Sequence, residues 1–448
     1  MPSGRFCDWS AVHDSQGERL PVGERAPGEV ARAALVFVSW MQCHDASLTP
    51  EEGQPDESRC PSSSPLHPAA MDSSLLVAEA LDPMTSHSRE KPGYSSWHLA
   101  ACVLVLVFAL LAGCRNDANV SFADAQLEAS IRDKLGIHDR ALRSRDLESL
   151  ASLEAADRSI VRLDGIEACV NLVELDLSRN QVRDLGPLRD LLRLETLRLA
   201  SNRIDDLKPL ESLGRLRILD LDFNDVTEVS PLAALENLEW LGLYSSRIRD
   251  IGPLAHLTKL RALGLSGSPI EDFSHLRGLI HLEWLGLPHT GVEDIGFLEG
   301  MTELVKLSLG GNRISNLEPL RSLNALEGLG LDSNQIVELE PLSGLTHLIR
   351  LSLWDNDIRD LSPLRGLTGL EELWLDRNPV SSINGLENLT SLRILSLSGT
   401  LVRDLTPLLR NGGLGAGDEV NLSGSPAASS GSDAIDTLRD RGVSIASD

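Results

Sequence analysis

The sequence predicts an α/β fold: a right-handed solenoid with a curved parallel sheet on its concave face and short helices or turns on its convex face. Three observations predict it. Leucine recurs at nearly fixed places in eleven consecutive 22-residue blocks from Asn171 to Gly412. A twelfth block, Ser149 to Val170, keeps the phase with Leu150, Leu153, Ile160, Leu163, Ile166 and Cys169. Within a block, leucines at positions 5 and 7 alternate with variable residues at 4, 6 and 8, the period of a strand with one buried face. One block cannot bury its own leucines, so the blocks must stack.

Each part of a block has a physical reason. In Arg193 to Gly214, Leu197 and Leu199 form the strand's inner face, and Asn202 at position 10 ends it. An Asn amide can bond backbone groups in the turn and replace ladder bonds. Asp206-Leu207-Lys208-Pro209-Leu210 then turns the chain back, with Pro placed where a short helix needs no N–H. The Asp column at position 14 (Asp184, Asp206, Asp250, Asp272, Asp294, Asp360, Asp404) suits acceptance of backbone N–H groups at each turn. Stacked carboxylates would otherwise repel, and a calcium role is the weaker reading.

The solenoid needs covers at its ends. Residues 121–148 form a helical N-terminal cap, with a helix over 121–136, Ser121 and Asp124 at capping-box spacing, and Gly136 as its stop. Phe122, Leu127, Ile131 and Leu135 are its apolar stripe, and a second short helix near Arg145–Leu150 leads into the first block. Residues 413–448 form the C-terminal cap, where the phase slips at Gly413–Gly417. A strand at Val420 and Leu422, a helix at 433–441 and a strand at 443–445 complete it.

The N-terminal third reads differently. Residues 1–83 are rich in Pro, Ser, Gly and charge without a period, as in a disordered segment or an upstream extension before a start at Met84. From Met84 a basic lead with Arg89 and Lys91 precedes the apolar run Leu99 to Gly113. At 15 residues that run is short for a membrane span and right for a signal peptide over 84–113. It ends Leu111-Ala112-Gly113-Cys114, which resembles the bacterial lipobox. The resemblance implies cleavage before Cys114, a lipid on that cysteine, a tether over 114–120 and a bacterial cell-envelope location. Arg115, standing where a retention signal would, favours the outer membrane where a cell has one.

Composition narrows the function. A net charge of −25 argues against nucleic acid, which needs a basic stripe. Six cysteines lack metal-ligand spacing, and Cys169 occupies an apolar core position. His256, His275, His281, His289 and His347 are scattered, and no nucleophile–base–orienter set emerges, so the chain does not read as an enzyme and calls for no cofactor.

The motif L-x-x-L-x-L-x-x-N-x-I-x-D-L-x-P-L over residues 149–412 resembles the 22-residue leucine-rich-repeat class of bacterial internalins and the nuclear phosphatase-1 regulatory subunit. That resemblance implies a non-enzymatic scaffold gripping a protein on its concave face. The outward positions offer two patches. Trp240 and Trp284 flank Ala262 across a slot roughly 9–10 Å wide. Gly242, Gly264 and Gly286 give its floor no side chains, and Tyr244 borders it. Trp354 and Trp374 lie on neighbouring strands near Gly330, Asp332, Arg350 and Asp376. A contact surface for a partner is one reading. Indole rings lying flat over the glycines to cover backbone is the other. A monomer binding protein is the leading expectation, with a surface glycan or an intracellular phosphatase-type enzyme as alternative partners.

Overall fold

The computed structural model describes residues 118–430 and 432–447. The expected extension, signal peptide and lipidated Cys114 lie outside them. The described chain forms one open sheet of 14 parallel strands, paired strictly in chain order. The first six are β1 (Ser152–Glu154), β2 (Glu174–Asp176), β3 (Thr196–Arg198), β4 (Ile218–Asp220), β5 (Trp240–Gly242) and β6 (Ala262–Gly264). β7 (Trp284–Gly286), β8 (Lys306–Ser308), β9 (Gly328–Gly330), β10 (Arg350–Ser352), β11 (Glu372–Trp374) and β12 (Ile394–Ser396) continue the period. β13 (Glu419–Asn421) and β14 (Ser444–Ala446) belong to the C-terminal cap.

Register follows the repeat without slippage. Leu153 pairs with Leu175, Leu241 with Leu263 and Leu351 with Leu373, so leucine stacks on leucine from β1 to β12, and Val420 and Ile445 continue the row in the cap. These side chains are buried in a single continuous core. The returning limb of every block but the last is a short 3-10 helix, with Pro in the first turn at, for example, Lys208–Leu210 and Glu318–Leu320. The Asp column does the work its chemistry predicts. Asp184 accepts from the Gly186 N–H at 2.8 Å, Asp250 from Gly252 at 2.8 Å and Asp404 from Thr406 at 2.8 Å. Phe273 and Phe297, the latter replacing the consensus Pro, stack with centroids 5.6 Å apart.

The caps differ in detail from the sequence reading. Helix α1 runs Ala125–Leu135, and its N-cap is Asp124, whose Oδ1 accepts from Gln126 N at 2.9 Å and Leu127 N at 3.3 Å. Ser121 therefore lies outside the helix. The other Asp124 oxygen accepts from the Val161 N–H at 2.8 Å, so one carboxylate both caps the helix and fastens it to the first block. Gly136 takes the left-handed conformation, φ 67°, that ends α1. α2 spans Ser144–Leu147, shorter than the Arg145–Leu150 segment expected. At the far end α3 (Thr406–Arg410), α4 (Pro426–Ser430) and α5 (Ser432–Asp440) cover the last coil; α4 had no sequence signal beyond its Pro.

The asparagine column reaches further than a turn. In Asn378 the amide Nδ2 donates to Leu375 O at 3.0 Å in its own block and to Leu353 O at 2.8 Å in the preceding one. Its Oδ1 accepts from Ile358 N at 3.0 Å, again in the preceding block. Asn180, Asn202, Asn224, Asn312, Asn334 and Asn356 repeat these bonds. The column lapses at Ser246, Ser268 and Thr290, and again at Thr400 in the last block. Thr290 keeps the bond within its block, to Leu287 O at 2.9 Å, and reaches only the following block, at Asn312 Oδ1 3.3 Å away, while the buried Ser246 hydroxyl has no partner. Buried backbone groups left without partners are costly. Asn378→Ala should therefore lower stability by about 2–4 kcal/mol, and Asn334→Ala, at a more exposed site, by less. Urea unfolding of the two variants checks the order; equal midpoints would remove the inter-block role.

Candidate functional site

Alternation sends the side chains at positions 4, 6 and 8 out of the core onto the concave face. There the first aromatic patch is closed rather than open. Trp240 is 5% exposed and packs on Ala262, with Ile218 and Trp284 against them in a small cluster separate from the leucine core. A Cβ at Gly242 would stand 2.6 Å from Cη2 of Trp240. Cβ atoms at Gly264 and Gly286 would stand 3.2 and 3.0 Å from Cη2 of Trp284. The two indoles thus lie over the glycines, and the expected slot with a bare floor is filled by its own walls. The cause is simple: an indole next to a residue without Cβ buries apolar area by lying down. Tyr244 is half-buried, its ring 4.7 Å from that of Phe223 at a tilt of 57°.

The second patch is more polar. Trp354 is half-buried and Trp374 is buried. Asp332 accepts from the Ser352 hydroxyl at 3.4 Å, and Asp376 accepts from the Ser396 hydroxyl and from Ser398 N at 3.1 Å. Burial raises both carboxyls above their ordinary range. Arg350 shares a row with Lys306 and Glu372, with the unsubstituted Gly328 between the two cations. Burial and then the charge of Arg350 push the Lys306 ammonium below its usual value, while burial raises Glu372. A Cβ at Gly330 would meet nothing nearer than Ser308 Oγ at 3.6 Å, so this glycine is open where Gly242 is covered.

A family model for leucine-rich repeats in two copies matches residues 192–234, 346–388 and 368–410. An internalin from Listeria monocytogenes is 30% identical, over 67% of this chain and 97% of that one, with a TM-score of 0.60. The chain belongs to the internalin-like leucine-rich-repeat family. A leucine-rich-repeat protein from Leptospira interrogans shares the fold at 24% identity, over 63% of this chain and 74% of that one, with a TM-score of 0.58. No curated protein matches the chain.

In this internalin-like sheet two further groups carry no repeat signal in the sequence, and the first is an acidic pair. Asp220 and Asp222 sit at positions 6 and 8 of a single block, and each is only 1% exposed. Asp222 Oδ1 accepts from Tyr244 N at 2.7 Å, and Asp220 Oδ1 accepts from Asp222 N at 3.1 Å. Burial pushes Asp222 up to about 7 and Asp220 well above its ordinary value, which the neighbouring Asp222 charge raises further. The signal was present as Asp-Leu-Asp at 220–222, but burial on an outward face is invisible without Trp240 and Gly242 in place. Lys306 and Glu372, in the row with Arg350, are the second group.

Two outcomes follow from this geometry. Gly242→Ala should cost about 1–3 kcal/mol by overpacking against the indole. Gly330→Ala should be neutral or stabilising by up to about 1 kcal/mol, since a strand glycine gives up more backbone freedom on folding. Equal unfolding midpoints would show that the indole is not seated. A carboxyl raised on folding contributes stability that is full below its unfolded value of 3.8 and is lost as pH rises through about 7. Wild type should therefore lose stability relative to Asp222→Asn between those limits, by at most about 1.4 kcal/mol per pH unit. Parallel pH profiles would contradict it.

Proposed function

We propose that the chain is a non-enzymatic protein-recognition scaffold, held at a bacterial envelope membrane by a lipid on Cys114, that engages its partner on the concave face. The observation that carries the recognition reading is a division of labour within each block. The leucine core and asparagine column account for the inward positions and the turns, and neither requires Lys306, Arg350, Trp354 or Asp376 on the outward face. Repeat scaffolds of this kind use that face because it is long and free of core constraint. Half-buried Trp and Arg side chains are the residues on which protein interfaces concentrate binding energy. Similarity to an internalin over nearly all of that protein supports the same reading.

The anchor reading rests on the apolar run ending Leu111-Ala112-Gly113-Cys114. Acyl chains on that cysteine would partition into a bilayer at about 0.8 kcal/mol per methylene. A clickable palmitate analogue should label the wild type and not Cys114→Ser, and the mature N-terminus should begin at Cys114 by mass spectrometry. Label surviving in Cys114→Ser would end the anchor reading and favour an intracellular regulator.

Recognition is tested separately, with the Cys114→Ser protein on protein and glycan arrays. A genuine protein ligand should bind at least about tenfold more weakly to Arg350→Glu and to Trp354→Ala. Binding to glycans alone, or to proteins with both variants unaffected, would overturn the proposal.

A further inference from the structure

Asp220 Oδ2 is shut off from solvent and has no hydrogen-bond partner. It does not belong to the core: Asp220 and Asp222 point outward from β4 and the residues just after it, on the proposed recognition face. Asp220 pairs in register with Gly242, and both Trp240 Cη2 and Asp222 Oδ1 converge on the point where a Gly242 Cβ would stand, at 2.6 and 2.8 Å. The carboxylates therefore lie in a closed pit, covered by the Trp240 ring and flanked by the Tyr244 backbone, with Phe223 against the Tyr244 ring. The charged groups that act on it from the same face are Arg198 on the adjacent β3 and Asp176 one strand further, on β2. One cation thus stands against three carboxyl groups. The pit is short of positive charge and of a donor.

We propose that this pit receives an arginine or lysine side chain of the protein partner, its charged head donating to Asp220 Oδ2 and its stem lying against Trp240. The proposal rests on the protein-recognition reading and names the chemistry that face selects. A side chain fits better than a metal ion. Hard cations need six or more oxygen ligands. Among the described residues no group of three or more His, Cys, Asp and Glu side chains is placed to hold one. An N–H donor on a cation, by contrast, satisfies one buried oxygen directly, and an indole face adds attraction for the charge. Entry of the stem requires the Trp240 ring to lift from Gly242, on which it is seated. When the pit is empty, burial keeps a proton on the pair, Asp222 rising to about 7. Entry of the cation leaves the carboxylate ionised and passes that proton to the buffer.

The test uses the full Cys114→Ser chain and three small probes: the N-acetyl methylamides of arginine, lysine and citrulline. Calorimetry at pH 6 in two buffers of different ionisation enthalpy reads affinity and proton release together. The two cationic amides should bind at least about tenfold tighter than the neutral citrulline amide. Their binding should release up to about one proton. Asp220→Asn, which keeps the shape, should abolish both the preference and the release, while Arg198→Gln should tighten cation binding. A single cooperative melting transition shows that Asp220→Asn is folded. Citrulline binding as well as arginine, or an unchanged preference in Asp220→Asn, would overturn the proposal. Because the probes need no partner, the two readings fail separately. Protein capture lost in Arg350→Glu with no cation preference removes the pit alone. Cation preference with every protein ligand indifferent to Arg350→Glu and Trp354→Ala removes the scaffold reading.

Discussion

Every other feature of this chain depends on the amide that ties one coil to the next. A coil of 22 residues has too few leucines to stand alone, so stacking must be enforced at each joint. Leucine packing supplies the driving force, but it is non-directional. The asparagine side chain supplies direction. Its amide spans two blocks, donating to carbonyls of both and accepting an N–H of the earlier one. Such a bond can form only at one register, the one in which Leu pairs with Leu. Where Ser246, Ser268 and Thr290 interrupt the column, the register persists on backbone bonds, as from Leu243 N to Gly264 O at 2.9 Å.

The concave face repeats the same economy with different materials. Beside the gap in the asparagine column, β5 to β7 carry Gly at position 6, and the two indoles spread over the vacancies. This gives the middle of the sheet an apolar skin in the place of a groove. Polar groups lie to either side of it: the Asp220 and Asp222 pair on β4, and the Lys306, Arg350 and Glu372 row on β8 to β11. The skin separates two chemically different regions on one surface, and a partner spanning both would meet acid on one side and mixed charge on the other.

What could be read from the sequence was whatever repeats. Leucines at positions 5 and 7 announce strands because period two has no competing explanation over so many blocks. The Asp column announces its turn bonds for the same reason, since each donor lies two residues away. The second half of the asparagine's role was hidden, because its partners are backbone atoms 20 and 25 residues back and carry no residue identity. Trp240 and Trp284 were visible as outward residues, but side-chain torsion decides between standing and lying, and no spacing encodes it. Asp220 and Asp222 carry no sign of burial in the sequence, because what buries them is Gly242 and the ring that covers it. The N-cap shifted from Ser121 to Asp124 because a carboxylate has a second oxygen, and Val161 gave that oxygen a use.

That last bond has a mechanical consequence. Residues 118–120 run beside 142–144 through short antiparallel contacts, Val120 N to Leu142 O at 2.8 Å and Ser144 N to Ala118 O at 3.0 Å. Tension applied at the amino end would peel these apart one after another, and would then meet Asp124 at the joint between α1 and the first coil. The leading segment thus stands between any load at the amino end and the leucine stack.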